Sequence, residues 1–432
     1  MQTNDFILKR IRPSWRPHVV IGAGIVIQFT YGLVYTFGNI LPYLVSYFRW
    51  YIDPSQTSGS FIWLQSLMGG IPFAMLAGGY IEKRIGARRG IILASTIYTG
   101  FIALSYYTVQ YSFILLLLSL ELFQVLVQWL RHRIGFVSGL VTAGFGSGAF
   151  VLAPLQTKYI NPDNFSADKD GYFTQVELLE RVPKLFLVMA CLFAVLQFVA
   201  VFFIGEPSYT EVVEQEEEES HPDQPSVNEE EPPVLSCKEA MLSGTCAVFF
   251  CSLFLNGVYV QTISGLYKAF GQTFIKDDFF LATVNSLAAA SNCMSRVIWG
   301  LVADKTSYQS AMSVACAVGA ALMWTLGAVK LAEQPMLFLI WVCLMYWAVG
   351  ATYSLVPYAV HHSFGATHFG IVYGFVQLSL PFSGITTALC SQFLLSTIGY
   401  EMLFAVIAGT ICTSFFLTSL VLQHTKYGKV VC

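Results

Sequence analysis

The stretch that decides the fold is 284–305, VNSLAAASNCMSRVIWGLVADK. It places Arg296 inside an apolar run that is long enough to cross a bilayer. A charge at bilayer depth is costly, so it usually faces a partner, a water-filled cavity or an anionic ligand. An arginine near a helix end can also reach water or tether the following loop. An anion contact and a purely structural role are therefore both open for Arg296.

The rest of the chain has the composition of a membrane protein. Of its 432 residues, 55% are hydrophobic and only 11% are charged. Runs of about 20 apolar residues predict twelve spans. These runs are rich in Gly, Ala, Leu and Phe and do not alternate, which favours a bundle of helices over a β-barrel. The spans are 18–48, 58–81, 89–108, 111–130, 134–156, 183–204, 245–267, 279–303, 309–331, 335–360, 369–394 and 400–423.

An acidic stretch divides these spans into two sets of six. The segment 208–233, SYTEVVEQEEEESHPDQPSVNEEEPP, carries ten carboxylates between Glu211 and Glu231 and too few apolar residues for a core. We interpret it as a solvated linker. The predicted organisation is an N-terminal segment at 1–17, a six-helix bundle at 18–204, the linker at 205–244, a second bundle at 245–423 and a tail at 424–432.

Lys and Arg residues are distributed unevenly between the two predicted faces. If residue 1 is cytoplasmic, fourteen of the 23 lie on that side and eight on the other. We therefore expect a multi-pass protein with both termini in the cytoplasm, in the plasma membrane rather than an organelle. The first apolar run is too long for a cleavable leader and follows a basic segment, so no signal peptide is expected.

The two halves repeat a polar loop at the same place. After the second span of each half, a glycine is followed by an acid and a base, in GYIEKRIGARR at 79–89 and in GLVADK at 300–305. Such recurrence indicates a duplicated bundle, which is an architecture of transporters. Glycines permit close helix contacts and the charges can pair with helix ends, so we interpret both loops as conformational latches. The latch residues are Gly79, Glu82, Arg84, Gly86, Arg88, Gly300, Asp304 and Lys305.

Five stretches in order along the chain carry a family resemblance. They are GLVY at 32–35, GLVTAGFGSGA at 139–149, the N-x-x-x-R-x-x-x-G-x-x-x-D pattern at 292–304, GATYSLVP at 350–357 and F-G-x-x-Y-G at 369–374. With the two sets of six spans, they resemble the major facilitator superfamily, in particular its oxalate/formate antiporter and monocarboxylate transporter branch. The resemblance implies two pseudo-symmetric six-helix bundles and a transport function rather than catalysis. No cofactor, metal or nucleic acid is expected.

The resemblance implies a role for Arg296. In that branch an arginine of span eight binds the substrate carboxylate, and a planar fork of donors suits this anion. Asn292, one turn earlier, stands where monocarboxylate transporters commonly have an aspartate. The branch's other lysines are replaced by Asn39 in span one and by Leu380 in span eleven.

With one deep cation, the prediction is a small monocarboxylate of the pyruvate, lactate or formate class, moved by alternating access. A dicarboxylate such as oxalate and a non-transporting protein of the same fold are the alternatives. Protons or a counter-anion are candidate coupling partners, and the oligomeric state is open.

Other polar residues are weaker candidates. Tyr35, Tyr353, Tyr373 and Gln377 could line the substrate pocket, although aromatic residues are abundant here and packing is the more common role for each. Glu121 lies within span four, which is shorter than in the family, and is a candidate proton site. Asn164 begins an Asn-Phe-Ser glycosylation signal after span five.

Overall fold

The computed structural model describes residues 10–12, 15–68, 87–119, 137–168, 170–204 and 237–422, and every regular element in these ranges is helical. The N-terminal half contains α1 Arg16–Tyr31, a 3-10 turn Gly32–Thr36, α2 Phe37–Tyr51, α3 Ser58–Met68, α4 Ala87–Tyr111, a short helix at 113–119, α5 Val137–Ile160 and α6 Val176–Phe202. The C-terminal half contains a short helix Cys237–Met241, α7 Gly244–Gly271, α8 Asp278–Lys305, α9 Tyr308–Trp324, α10 Leu326–Ala332, α11 Pro335–Gln377, α12 Ser379–Phe416 and a π turn Leu417–Val421.

The helices have the length and apolar character that a bilayer requires. Within the described ranges, six stretches qualify as membrane spans, or seven when α9 and α10, bent by 41° at Thr325, are joined. One of them, 369–421, is 53 residues long and covers the predicted span 369–394 and nearly all of the predicted span 400–423. A 28-residue helix such as α7 or α8 extends about 42 Å, enough to cross the hydrocarbon core. The predicted all-α membrane architecture is confirmed.

Two glycines separate spans that follow each other almost without a loop. Gly365 interrupts α11 at φ +70°, and Gly399 interrupts α12 at φ +74°. This backbone region is costly for residues with a Cβ, so glycine is the natural residue at each break. The breaks lie between the predicted spans 335–360, 369–394 and 400–423.

Among the described residues, the two halves meet chiefly along three helix pairs. α3 packs on α12, α5 packs on α8, and α2 packs on α7. At two of these contacts the backbones are so close that only glycine fits. A Cβ added at Gly38 would overlap the Ser264 carbonyl, and a Cβ added at Gly384 would overlap the Ser66 carbonyl. Here we call the side where α6 ends and α7 begins the linker face. The other side, where α7 ends and α8 begins, is the opposite face.

Of the predicted latch residues, those that the structure describes are Arg88, Gly300, Asp304 and Lys305, and they lie at the linker face. Gly79, Glu82, Arg84, Gly86 and the candidate proton site Glu121 lie outside the described residues, as does most of the shortened span four. Arg88 donates to the Phe202 carbonyl at 3.4 Å, which ties the start of α4 to the end of α6. Asp304 lies near the Tyr358 hydroxyl of α11 and interacts with it electrostatically. A Cβ at Gly300 would meet open space, so close helix packing does not explain that glycine here.

Candidate functional site

Arg296 lies at membrane depth on α8. It follows Asp278 by 18 residues and precedes Lys305 by nine, which places it about 27 Å and about 14 Å from the two helix ends. The helix begins at a well-formed cap, since the Asp277 side chain accepts from the Phe280 N–H at 3.1 Å. The Arg296 side chain is half-buried. Its charge is therefore far from either end of the helix.

The described contacts of the guanidinium are all with neutral groups. Nε donates to Asn292 Oδ1 at 3.2 Å, and Nη2 donates to the Tyr35 hydroxyl at 2.9 Å. The guanidinium carbon lies 5.0 Å from the centre of the Tyr353 ring, a cation–π distance. Within the described residues no carboxylate is paired with Arg296. The positive charge is thus held in place and left electrostatically unbalanced by these neighbours.

Close backbone contacts bring these side chains together. Tyr35 belongs to the 3-10 turn between α1 and α2. This turn packs closely on α5, because a Cβ added at Gly148 of α5 would lie only 2.8 Å from the Gly32 Cα. On the other side, a Cβ at Gly350 of α11 would collide with the Ser295 hydroxyl of α8. Tyr353 follows Gly350 by about one turn on α11, so this close packing places its ring beside the guanidinium.

Four of the predicted pocket residues therefore form one cluster. Arg296, Asn292, Tyr35 and Tyr353 are in mutual reach across both halves of the protein. Tyr373 and Gln377 lie further along α11, beyond the break at Gly365, and the Tyr373 ring stacks on Phe369 with centroids 5.3 Å apart. Their assignment to the pocket stays a prediction.

The expectation of one deep cation is wrong, because Lys268 is also buried. Its side chain has 0% exposure and lies 2.9 Å from Asp278. The predicted span ended at residue 267, but α7 continues to Gly271 and carries the lysine into the protein. Lys268 donates to Asn39, the residue that occupies the approximate place of the branch's span-one lysine. Apolar residues on both sides of Lys268, in SGLYKAFG, were the available sequence signal.

The glycosylation candidate Asn164 has an unexpected structural role at the opposite face. Its Oδ1 accepts the backbone N–H groups of Asp278 and Phe279 at 3.0 and 3.1 Å, and its Nδ2 donates to Asp277 at 3.0 Å. A residue of the N-terminal half thus caps a helix of the C-terminal half. A glycan on Nδ2 would compete with this contact, and glycosylation stays a prediction.

Comparisons with known proteins agree with this architecture. The family model described as Major Facilitator Superfamily matches residues 20–348. Apicoplast pyruvate carrier 1 of Toxoplasma gondii is 23% identical over 489 aligned positions, covering 93% of this chain and 88% of that protein. The xylose transporter XylE from E. coli, in a partially occluded inward-open conformation, superposes with a TM-score of 0.60 at 11% identity, over 93% of this chain and 98% of that one.

The family match covers well over half of the chain, and the structural likeness extends over nearly all of it. The paired bundles, the spans and the repeated glycine-and-charge loops are consistent with that match. This protein belongs to the Major Facilitator Superfamily and has the fold of its membrane transporters.

Proposed function

We propose that this protein is a secondary transporter that moves small monocarboxylates, of the pyruvate, lactate or formate class, by alternating access. The observation that carries the proposal is the Arg296 guanidinium, held at membrane depth by the neutral Asn292, Tyr35 and Tyr353. A charge in such surroundings is stabilised when an anion arrives. The two halves of the protein both contribute to this position, as alternating access requires.

The donors of Arg296 suit a carboxylate. A guanidinium has five N–H donors, and the described contacts engage Nε and one N–H of Nη2. Among the described residues nothing engages the other three N–H groups, which can serve a ligand, and a planar fork binds the two oxygens of a carboxylate side by side. Asn292 and Tyr35 fix the orientation of the fork, which lowers the entropy lost on binding.

The charges favour one carboxylate over two. The second buried cation, Lys268, is neutralised by Asp278, and the pair lies about 27 Å along α8 from Arg296. A small dicarboxylate cannot bridge that distance, so oxalate would have one of its charges without a cationic partner among the described residues.

The relative's name supports the same substrate class. The Toxoplasma protein is called a pyruvate carrier, and pyruvate is a monocarboxylate. The likeness to a xylose transporter concerns the fold alone, since one fold serves many substrates. We further propose that both termini are cytoplasmic, that the protein resides in the plasma membrane and that protons or a counter-anion drive the flux.

A counterflow assay tests the proposal. Purified protein in liposomes preloaded with unlabelled pyruvate should take up labelled pyruvate, lactate or formate in a saturable manner, whichever coupling mode operates. Labelled oxalate and xylose serve as comparison solutes. Folded protein that exchanges none of the three monocarboxylates, or that exchanges oxalate or xylose faster, would overturn the proposal and favour a dicarboxylate carrier, a sugar carrier or a non-transporting protein.

Removing the Tyr35 hydroxyl tests how the guanidinium is oriented. Tyr35→Phe deletes the 2.9 Å hydrogen bond to Arg296 but keeps the ring. We expect KM for pyruvate to rise about tenfold, since a hydrogen bond to a charged group contributes about 1.5–3 kcal/mol. Tyr111→Phe, which removes the hydroxyl of an exposed tyrosine at the end of α4 and outside the cluster, is the matched control. Equal KM values for the two variants would contradict the orienting role.

A further inference from the structure

A buried ion pair lies at the opposite face, far from Arg296. Lys268 Nζ and Asp278 Oδ1 are 2.9 Å apart, with side-chain exposures of 0% and 3%. Lys268 lies in the last turn of α7 and Asp278 in the first turn of α8, positions where the helix dipoles favour a cation and an anion respectively. Both residues belong to the C-terminal half, so the pair persists when the halves separate.

The N-terminal half supplies neutral partners for both charges. Lys268 Nζ donates to Asn39 Oδ1 at 2.9 Å and to the Tyr43 hydroxyl at 3.1 Å. The Tyr43 hydroxyl in turn donates to Asp278 Oδ2, and Asn161 Nδ2 donates to the same oxygen at 2.8 Å. Each bond crosses from one half to the other.

Further bonds fix the orientation of the two asparagine amides. Asn39 Nδ2 donates to the Ala153 carbonyl and to the Thr157 hydroxyl, both at 3.1 Å, so its oxygen faces Lys268. Asn161 Oδ1 accepts from the Phe165 N–H at 2.8 Å, so its nitrogen faces Asp278. The N-terminal half therefore presents an acceptor to the cation and donors to the anion.

The cost of burying charge decides what these contacts do. Taking an ion pair out of water costs free energy that the mutual attraction offsets only when the remaining hydrogen-bonding positions are filled. When the opposite face is open, water can fill them. When it is closed, Asn39, Tyr43 and Asn161 must do so. Asn164 adds an independent contact by satisfying the first N–H groups of α8.

We propose that these residues form a gate at the opposite face, in which an ion pair that stays within the C-terminal half is the docking point for neutral side chains of the N-terminal half. The gate sets how readily this face opens in the transport cycle. It goes beyond the proposed substrate class, because it operates on conformation and not on ligand contact. Its members are Asn39, Tyr43, Asn161, Asn164, Lys268 and Asp278.

The gate has a characteristic pattern of mutant effects. In Lys268→Met, closing the opposite face would bury a charged Asp278 without its cation. In Asp278→Asn, closing it would bury a charged Lys268 without its anion. Each single variant should therefore shift the equilibrium towards the conformation in which the opposite face is open. The double variant Lys268→Met/Asp278→Asn buries no charge, so the closed face should be at least as stable as in the wild type. A residue with a merely local packing role would instead show additive losses.

The accessibility of an introduced cysteine measures this opening. Ala282→Cys provides the reporter, since Ala282 is 1% exposed and lies one turn after Asp278. Each variant in lipid nanodiscs is treated with a membrane-impermeant maleimide, and the parent without Ala282→Cys gives the background from native cysteines. We expect labelling at least about tenfold faster in both single variants and no faster than wild type in the double variant. The proposal would be overturned if the single variants were labelled no faster than the wild type, or if the double variant were labelled as fast as the single variants.

Tyr43→Phe provides a milder test that keeps both charges, in case a single variant does not fold. It removes a donor to Asp278 and an acceptor of Lys268, so labelling should accelerate about threefold to tenfold. Tyr51→Phe, an exposed tyrosine on the same helix, is the matched control. Wild-type labelling rates in Tyr43→Phe would contradict the gate. No substrate takes part in this assay, so its outcome is independent of the counterflow result.

Discussion

Arg296→Ala is expected to reduce pyruvate exchange at least about 100-fold, because two charge-assisted hydrogen bonds to the carboxylate would be lost at about 1.5–3 kcal/mol each. Arg296→Lys should be nearly as defective. An ammonium keeps the charge but lacks the planar fork, and it cannot bond Asn292, Tyr35 and a carboxylate with the same geometry. Initial rates of exchange in liposomes, measured at equal protein density, provide the comparison.

The fold should survive the loss of Arg296. Its described partners are neutral, so no buried counter-charge is left behind. Size-exclusion profiles and melting temperatures of Arg296→Ala should match those of the wild type. Lys184→Ala, which removes an exposed cation from the first turns of α6, is the matched control and should retain full exchange. Wild-type flux in Arg296→Ala would refute the anion-binding role.

Gly38→Ala is expected to slow transport at least about fivefold by preventing closure of the opposite face. The added Cβ would overlap the Ser264 carbonyl of α7 and lie 2.8 Å from the Tyr267 ring. A carbonyl of the main chain cannot rotate away, so α2 and α7 must move apart, at a cost of about 1–3 kcal/mol. Because these helices belong to different halves, the cost falls on the closed conformation.

The rate of counterflow and the labelling of Ala282→Cys measure this effect together. Gly38→Ala should lower the rate of counterflow and raise the rate at which Ala282→Cys is labelled. Gly22→Ala is the matched control, since a Cβ at Gly22 in the same span meets nothing within 4 Å and alanine is the better helix former. Transport by Gly38→Ala at the wild-type rate would show that the two backbones need not approach this closely during the cycle.

Several elements of the fold could be predicted because their causes are local. A run of about 20 apolar residues spans a bilayer wherever it occurs, so the existence of the long helices followed from hydropathy. The breaks at Gly365 and Gly399 lie within short gaps between apolar runs. The end of α7 was misplaced, since a lysine after an apolar run signals an interface with water unless a buried partner is known. Asp278, the partner, lies ten residues further along the chain.

In the candidate site, too, contacts within one helix could be predicted from the sequence and contacts between distant helices could not. Arg296 and Asn292 are one turn apart on one helix, so their contact could be predicted from spacing. Tyr35 was one of 22 tyrosines, and nothing in its surroundings along the chain distinguished it from a packing residue. Its contact with Arg296 joins residues that are 261 positions apart.

The amino-acid sequence by itself therefore determined that long apolar helices cross a membrane and that one of them carries a guanidinium at depth. These are properties of length, hydropathy and spacing within single segments. Only the tertiary structure decided which neutral groups hold that guanidinium, that Lys268 and Asp278 form a buried pair, and that Asn164 caps a helix of the other half. Each of these contacts depends on how closely helices from distant parts of the chain approach, which is set by packing between the two halves.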